Sequence, residues 1–380
     1  MVSSEKHTLP ILITGGGTGG HLYPALAVAE AIQEGLPSAP LLYVGLEKER
    51  DRKEVERRGI PFHGLPLMGL QRKLTLKNFK AMALFIKGTA RCVRILRGYP
   101  KGVVFGVGGY VSAPAMLAGR LLGWKLALHE QNTVPGLVNR WLASQCDLVF
   151  TTYEITQEYL KKVPCIQTGF PLRREIISAC KKTQRSQNQI PTILVLGGSQ
   201  GARVVTQTAI EAFQLLHKEG VVFKALLQTG EKNYTWAQSL TPPECVTLVP
   251  FIEAMAEAYA QCDLVISRAG SGTLSEIALW GLPSILIPYP FSSENHQKVN
   301  SEVFKNKNAA IMFEEKGLTS DQLKLELLQL LINIPTRVEM GHRARTLANE
   351  KAADTIQIKI HHLLEPLSSS MAQPQENRGG

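Results

Sequence analysis

Glycine-rich turns, each set between an apolar run and a helical pattern, constrain this chain more than anything in its composition. The first follows residues 11–14 as Gly15-Gly16-Gly17-Thr18-Gly19-Gly20-His21, and a helix opens at Pro24 and Ala25. Comparable turns follow the apolar runs at 103–105, 192–196 and 264–266. An apolar run of this length beside glycines reads as a buried strand, and glycine lets the backbone turn sharply into the helix. Repeated strand–turn–helix units predict an α/β fold with parallel sheets. Each turn aims backbone N–H groups at an anion. Gly15, Gly17 and Gly20 also spell G-x-G-x-x-G, with Glu47 near the place of a ribose-binding acid, so a nicotinamide dinucleotide is a rival ligand.

A chain of 380 residues exceeds what one core supports, so two domains are expected. No run of eighteen apolar residues and no basic-then-apolar leader appears, which predicts a cytoplasmic location. The six cysteines, with no C-x-x-C pair, suit reduced thiols. No D-x-D pair or ligand-spaced His/Cys set is present, so neither a catalytic metal nor another cofactor is expected.

The net charge of +10 points to an anionic partner. Much of it lies between Arg57 and His129, where Asp and Glu are absent. Residues 75–96 read as a helix with Lys77, Lys80, Lys87, Arg91 and Arg94 on one face and Phe79, Met82, Phe85, Ile86, Val93 and Leu96 opposite. One reading packs the apolar face on the sheet and leaves the basic face in water. The other rests Lys77, Phe79, Lys80, Met82, Phe85 and Lys87, beside exposed Leu65, Leu67, Met68 and Leu70, on an anionic membrane surface. Nucleic acid is not expected, because no reading motif occurs.

Gln145-Cys146-Asp147-Leu148-Val149-Phe150 recurs as Gln261-Cys262-Asp263-Leu264-Val265-Ile266, which suggests equivalent strands in two similar halves. The expected organisation is a first domain over 1–175, a linker over 176–190, a second domain over 191–345, a terminal helix over 346–365 that could pack back on the first domain, and a disordered tail over 366–380.

Taken together, Gly-Gly-Thr-Gly-Gly-His at 16–21, Gly-Val-Gly-Gly-Tyr at 106–110, His-Glu-Gln-Asn at 129–132, Gly-Gly-Ser-Gln-Gly-Ala at 197–202 and the segment 268–283 resemble the MurG family of glycosyltransferases, in order over residues 10–345. The resemblance implies a GT-B architecture, two Rossmann-like domains facing across a cleft. It implies inverting transfer of N-acetylglucosamine from UDP-N-acetylglucosamine to the C4 hydroxyl of the muramyl sugar of undecaprenyl-linked lipid I, peripherally at the cytoplasmic face of a bacterial inner membrane. Rival readings are another GT-B enzyme acting on lipid, the related UDP-N-acetylglucosamine 2-epimerase, or a catalytically silent UDP-sugar-binding scaffold.

Carried over by motif, the UDP-sugar contacts are Thr18, Gly19, Gly20, Asn132, Arg173, Ser199, Gln200, Ile252, the run Ser271, Gly272, Thr273, Leu274, Ser275, then Glu276 on the ribose, His296 and Gln297. Ser199 and Arg173 would hold the diphosphate. Gly16, Gly17, Gly108, Gly109 and Tyr110 would receive the acceptor diphosphate. Phe170 stands where the family usually has Asn. For the general base the residues offer His21, Glu130 and His129, since the attacking hydroxyl needs a proton acceptor and histidine titrates near neutrality. His21 is favoured because it ends the first glycine turn.

Overall fold

The structure, a computed structural model, describes residues 9–69, 76–160, 163–183, 189–198 and 201–371. It divides into unit 1, Met1–Pro171 with Lys351–Gly380, and unit 2, Leu172–Glu350.

Unit 1 runs β1 (Ile11–Thr14), α1 (Gly19–Gly35), β2 (Leu41–Leu46), α2 (Glu49–Glu56), β3 (Phe62–Leu65), α3 (Leu76–Leu96), β4 (Val103–Gly106), α4 (Gly109–Leu122), β5 (Lys125–Glu130), α5 (Leu137–Ala143), β6 (Leu148–Thr151), α6 (Thr156–Tyr159) and β7 (Cys165–Gln167). Its sheet is parallel in the order β3-β2-β1-β4-β5-β6-β7. Alternation along β1 sends Ile11 and Ile13 into a core with α1, and Leu12 into a second core on the other face. Apolar residues on both faces are what a sheet covered by helices on each side requires.

Unit 2 runs α7 (Arg174–Lys182), β8 (Thr192–Leu196), α8 (Arg203–Lys218), β9 (Lys224–Gln228), α9 (Tyr234–Gln238), β10 (Val246–Val249), α10 (Met255–Gln261), β11 (Leu264–Ser267), α11 (Ser271–Trp280), β12 (Ser284–Leu286), α12 (His296–Asn306), β13 (Ala310–Met312), α13 (Ser320–Ile332) and α14 (Ile334–Arg345). Its sheet order is β10-β9-β8-β11-β12-β13. The last helix, α15 (Ala352–Met371), returns to unit 1 and places Ala353, Ile356, Ile360 and Leu364 in the core beside α1.

Several boundaries differ from the sequence reading. Helix α1 begins at Gly19 with Thr18 at its N-cap, and Pro24 sits inside it, removing one backbone donor. Helix α4 begins at Gly109 and encloses Pro114. The expected linker is helical up to Lys182, with Ile176 buried in unit 2, so the chain changes unit at 171–172. Residues 346–350 belong to unit 2, and α15 continues through Pro366 to Met371; residues 372–380 lie outside the described residues.

The repeated Gln-Cys-Asp segment does not mark equivalent strands. β11 pairs with β8, the first strand of its unit, so its counterpart is β4, which pairs with β1. β6 lies two places beyond β4. What the copies share is a local clamp. Asp147 Oδ2 accepts the Leu126 N–H at 2.8 Å and its own N–H returns to Leu126 O at 2.8 Å. Asp263 makes the same exchange with Thr192, at 2.8 and 2.7 Å. Such a clamp suits any parallel strand that needs its register pinned to a neighbour, whatever its place in the sheet.

Candidate functional site

In each sheet the chain walks outward from its first strand and then returns on the other side. That switch point falls between β1 and β4 in unit 1 and between β8 and β11 in unit 2. Ligands of open α/β sheets bind outside the carboxyl ends of the strands there. The four glycine turns are the loops that leave these four strands.

In unit 1, Gly16 and Gly17 stand at φ +118° and +81°, and Gly108 and Gly109 at +86° and +74°, conformations that side chains other than glycine rarely adopt. Ser112 Oγ joins the two turns, 3.0 Å from Thr14 O and 2.8 Å from Gly108 O. His21 Nδ1 lies 3.0 Å from Thr18 Oγ1, and the imidazole covers Gly109, where a Cβ would sit 3.6 Å from Nε2. Thr18, Gly19 and Gly20 therefore form the amino end of α1 beside the second turn.

One expectation for this turn is corrected. The Gly17 N–H donates to Asp51 Oδ2 at 2.8 Å, and a Cβ on Gly16 would lie 2.8 Å from the same oxygen. Asp51, from α2, is buried, and Lys48 Nζ donates to Gly17 O at 3.0 Å. The turn thus carries its own carboxylate, and Gly17 has no amide to offer an acceptor diphosphate. Gly16, Gly108, Gly109 and Tyr110 remain as candidates. Burial and the Asp51 charge raise the half-exposed Tyr110 phenol above its ordinary range.

The His-Glu-Gln-Asn cluster is an internal network. Glu130 is 1% exposed; Oε1 accepts Asn132 N at 2.9 Å and Asn132 Nδ2 at 3.4 Å, and Oε2 accepts Asn139 Nδ2 at 2.6 Å. Asn139 abuts the second turn, where a Cβ on Gly108 would meet its Nδ2 at 2.4 Å. Glu130, expected as a second base, instead positions Asn132 and the turn, because both its oxygens are occupied and solvent is excluded. Burial, opposed by these hydrogen bonds, raises its pKa. His129 is likewise enclosed, with Nε2 donating to Gly169 O at 3.0 Å and Nδ1 facing Gln131 Nε2 at 3.2 Å. It is the neutral Nε2–H tautomer and too enclosed to serve as a base.

Burial lowers the His129 pKa to about 4. Between 6.5 and about 4 the unfolded chain holds a proton that the folded chain refuses, so stability present above pH 6.5 is lost as pH falls through that window. The loss amounts to about 3 kcal/mol. Glu130, shifted upward, opposes it in the more acid part. Thermal melts from pH 7 to 4 are expected to show Tm falling toward acid, with a shallower slope in His129→Gln; an equal slope would remove His129 as the cause.

In unit 2, Gly197 and Gly198 end β8, while Ser199 and Gln200 lie outside the described residues. Gly201, at φ +73°, presses on Thr229 O, where a Cβ would lie at 1.8 Å. Across the switch point, Asn300 Nδ2 holds Ala269 O at 3.2 Å and Ser271 Oγ at 3.4 Å, fixing the start of α11. Ser271, Gly272, Thr273, Leu274 and Ser275 form its first turns. The Leu274 side chain is buried in the protein, so only its backbone can serve a ligand. Arg268 is a brace: Nη1 donates to Ile287 O at 3.0 Å and Pro288 O at 3.2 Å, and Nη2 pairs with Glu315.

Glu276 Oε1 lies 3.2 Å from Arg173 Nη2, and Oε2 accepts the Tyr259 hydroxyl at 2.9 Å. Arg173, expected on a diphosphate, is placed on the acid expected to read the ribose. Tyr259, fully buried, has its ionisation pushed far up by burial and the Glu276 charge, so it stays a donor. Sequence reasoning missed it, since nothing marks a tyrosine on α10 as the partner of an acid on α11. Ile252 follows β10 beside exposed Phe251. His296 Nδ1 donates to Ser293 O at 2.7 Å, leaving Nε2 as an acceptor, and burial lowers its pKa. Gln297 Oε1 accepts Tyr289 N at 2.9 Å. Glu294 and Asn295 precede α12 at φ +53° and +56°, a strained approach that fixes this pair.

Helix α3 corrects another expectation. It buries the small stripe Ala81, Gly88 and Cys92 with Leu96, while Leu76, Phe79, Met82 and Ile86 are exposed, Phe79 by 77%. Gly88 lets the helix approach closely, a Cβ there meeting Leu67 at 3.0 Å. Phe79, Met82 and Ile86 therefore do not pack on the sheet, whereas Leu96 enters its core and Phe85 and Val93 lean against it. Leu65 is buried, Leu67 is partly buried and Met68 is at the surface; Leu70 lies outside the described residues. Phe85, Ile86, Val93, Leu117 and Leu121, with Arg94 and Arg97, line a groove of about 570 Å³ between α3 and α4. Among the described residues, no helix is long and apolar enough to cross a membrane.

Comparison with known proteins bears on both units. Residues 11–151 match the glycosyltransferase family 28 N-terminal domain and 192–357 the family 28 C-terminal domain. The chain is 36% identical to a UDP-N-acetylglucosamine–N-acetylmuramyl-(pentapeptide) pyrophosphoryl-undecaprenol N-acetylglucosamine transferase of Desulforamulus reducens, over 91% of this chain and 96% of that one. A transferase of the same name from Bacillus cytotoxicus is also 36% identical, over 91% and 97%. Among solved structures, Acinetobacter baumannii MurG aligns with a TM-score of 0.73 and 26% identity, covering 93% of this chain and 99% of that one.

Proposed function

We infer the reaction from the premise that the chain belongs to glycosyltransferase family 28, in its MurG branch: it transfers N-acetylglucosamine from UDP-N-acetylglucosamine to the C4 hydroxyl of the muramyl sugar of lipid I, forming lipid II. The observation that carries the donor half is the amino end of α11, held by Asn300 at the switch point, with Glu276 one turn further along between Arg173 and Tyr259. Helix N–H groups with their partial positive charge suit a diphosphate, and a carboxylate suits the two ribose hydroxyls.

In an inverting displacement the acceptor O4 attacks C1 of the sugar as the bond to UDP breaks. The O4 proton needs an acceptor, and negative charge grows on the diphosphate. His21 takes the proton at Nε2, provided Nδ1–H is donated to Thr18 Oγ1. The α11 amino end and the Gly197–Gly198 turn receive the developing charge, in the manner of preorganised N–H donors elsewhere. His296 and Gln297 hold the transferred sugar, and Gly108, Gly109 and Tyr110 the acceptor diphosphate.

Because this charge is met by fixed backbone dipoles, turnover is expected to be unchanged by EDTA. Radiolabelled transfer from UDP-N-acetylglucosamine to a lipid I analogue, with and without chelator, tests both statements. UDP binding without labelled lipid would leave only a UDP-sugar-binding scaffold.

Association with an anionic membrane at the cytoplasmic face belongs to the same proposal. Exposed Phe79, Met82 and Ile86 alternate with Lys77, Lys80 and Lys87 along α3, so apolar and cationic groups can enter one lipid surface together. Burial of a Phe or Ile is worth about 1.5–3 kcal/mol. The double change Phe79→Asp and Ile86→Asp should therefore lower sedimentation with anionic vesicles by roughly 100-fold or more. Unchanged binding would place the membrane surface elsewhere.

A further inference from the structure

At the opposite end of the unit 2 sheet from these turns, α7, the carboxyl end of α11 and α14 enclose a pocket of about 420 Å³. Its wall includes Trp280, Pro283, Arg337, Val338 and Arg345. Arg337 is 6% exposed, and its Nη1 donates to Leu330 O and Leu331 O, both at 3.1 Å, closing the carboxyl end of α13. Among the described residues its Nε and Nη2 meet no acceptor. Those two nitrogens form the side edge of the guanidinium, the edge that grips a carboxylate or phosphate through two parallel hydrogen bonds. Both nitrogens keep access to solvent and Arg337 lines the pocket, so an anion there can reach this edge.

We propose that this pocket is a second ligand site of unit 2, taking a single oxyanion, phosphate or carboxylate, carried on a flat apolar group. The oxyanion sits on the Arg337 side edge, and the flat group lies among Trp280, Pro283 and Val338. Asp263 shares the wall, and the Arg345 guanidinium is already engaged by Glu350 and Leu279 O. One acid present and one cation committed restrict the guest to one anionic group and disfavour a nucleoside di- or triphosphate. The site is thus chemically distinct from the donor site and independent of its assignment.

Calorimetric titration of the full chain, held in saturating UDP so that the donor site is filled, tests this with phenyl phosphate and benzoate as probes, and with phenol and inorganic phosphate as controls. Saturable binding of either aromatic anion is expected, with phenol silent and inorganic phosphate weaker; which of the two binds assigns the phosphate or carboxylate source. Arg337→Lys keeps the charge but loses the side edge, and should weaken binding roughly tenfold or more. If that variant fails to fold, Val338→Phe fills the pocket without touching Arg337, and should abolish the heat of binding while transfer activity persists. Absence of saturable binding, or binding that survives both substitutions, overturns the proposal.

Discussion

His21→Ala is expected to lower kcat by about 10²–10⁴-fold, the usual worth of a positioned general base, while UDP affinity is unchanged. Within unit 1 the ring stands 3.0 Å from Thr18 Oγ1 and over Gly109. The loss amounts to about 3–5 kcal/mol of transition-state stabilisation and falls on kcat, because no ground-state contact with the nucleotide is removed. Thr18→Val adds a finer test. It deletes the hydroxyl that receives the Nδ1 proton, so the other tautomer becomes populated and kcat should fall by a smaller factor, with a wild-type KM for UDP-N-acetylglucosamine. If His21→Ala turned over at a near wild-type rate, the proton would have to leave by another route. Glu130 is not that route: its two oxygens are committed to Asn132 and Asn139.

Glu276→Ala should raise the KM for UDP-N-acetylglucosamine by about 10²–10⁴-fold, as expected for two hydrogen bonds to a charged group at about 1.5–3 kcal/mol each. The same loss should appear for uridine as for UDP in calorimetric titration, because the ribose is common to both. Arg173 supplies the contrast. Paired with Glu276 at 3.2 Å, it orients the carboxylate, so Arg173→Met should weaken uridine and UDP alike; a loss confined to UDP would return Arg173 to the diphosphate. A cost to folding accompanies Glu276→Ala, since the Tyr259 hydroxyl loses its acceptor in a fully buried setting, a penalty of about 1–3 kcal/mol. Glu276→Gln keeps an oxygen for Tyr259, so comparing the two substitutions in thermal melts separates folding from binding.

Legibility of the fold in the sequence followed from how few residues can do each job. Turns at φ above +70° after fully buried strands demand glycine, and buried parallel strands demand unbroken apolar runs, so both announce themselves. The place of a candidate residue in the fold was legible wherever it lies on the turn itself, as His21 and Ser271 do. Asp51 and Tyr259 were not, because each reaches its partner from another element and their neighbours in sequence carry no sign of it. On α3 the periodicity revealed two faces, but small Ala81, Gly88 and Cys92 with Leu96, and not the exposed Phe79, Met82 and Ile86, mark the side that packs. Hydrophobicity alone weighs size, whereas close helix packing rewards its absence. The Asp147 and Asp263 segments misled for a similar reason: the pattern encodes a backbone clamp, not an address in the sheet.

Helix α15 closes the core of unit 1 only after the chain has passed through the whole of unit 2. During synthesis, then, the amino-terminal unit waits with the flank of α1 bare until Ala353, Ile356, Ile360 and Leu364 have emerged, while the uninterrupted unit has all of its own residues earlier. The part of the protein that is made first is the part that is finished last.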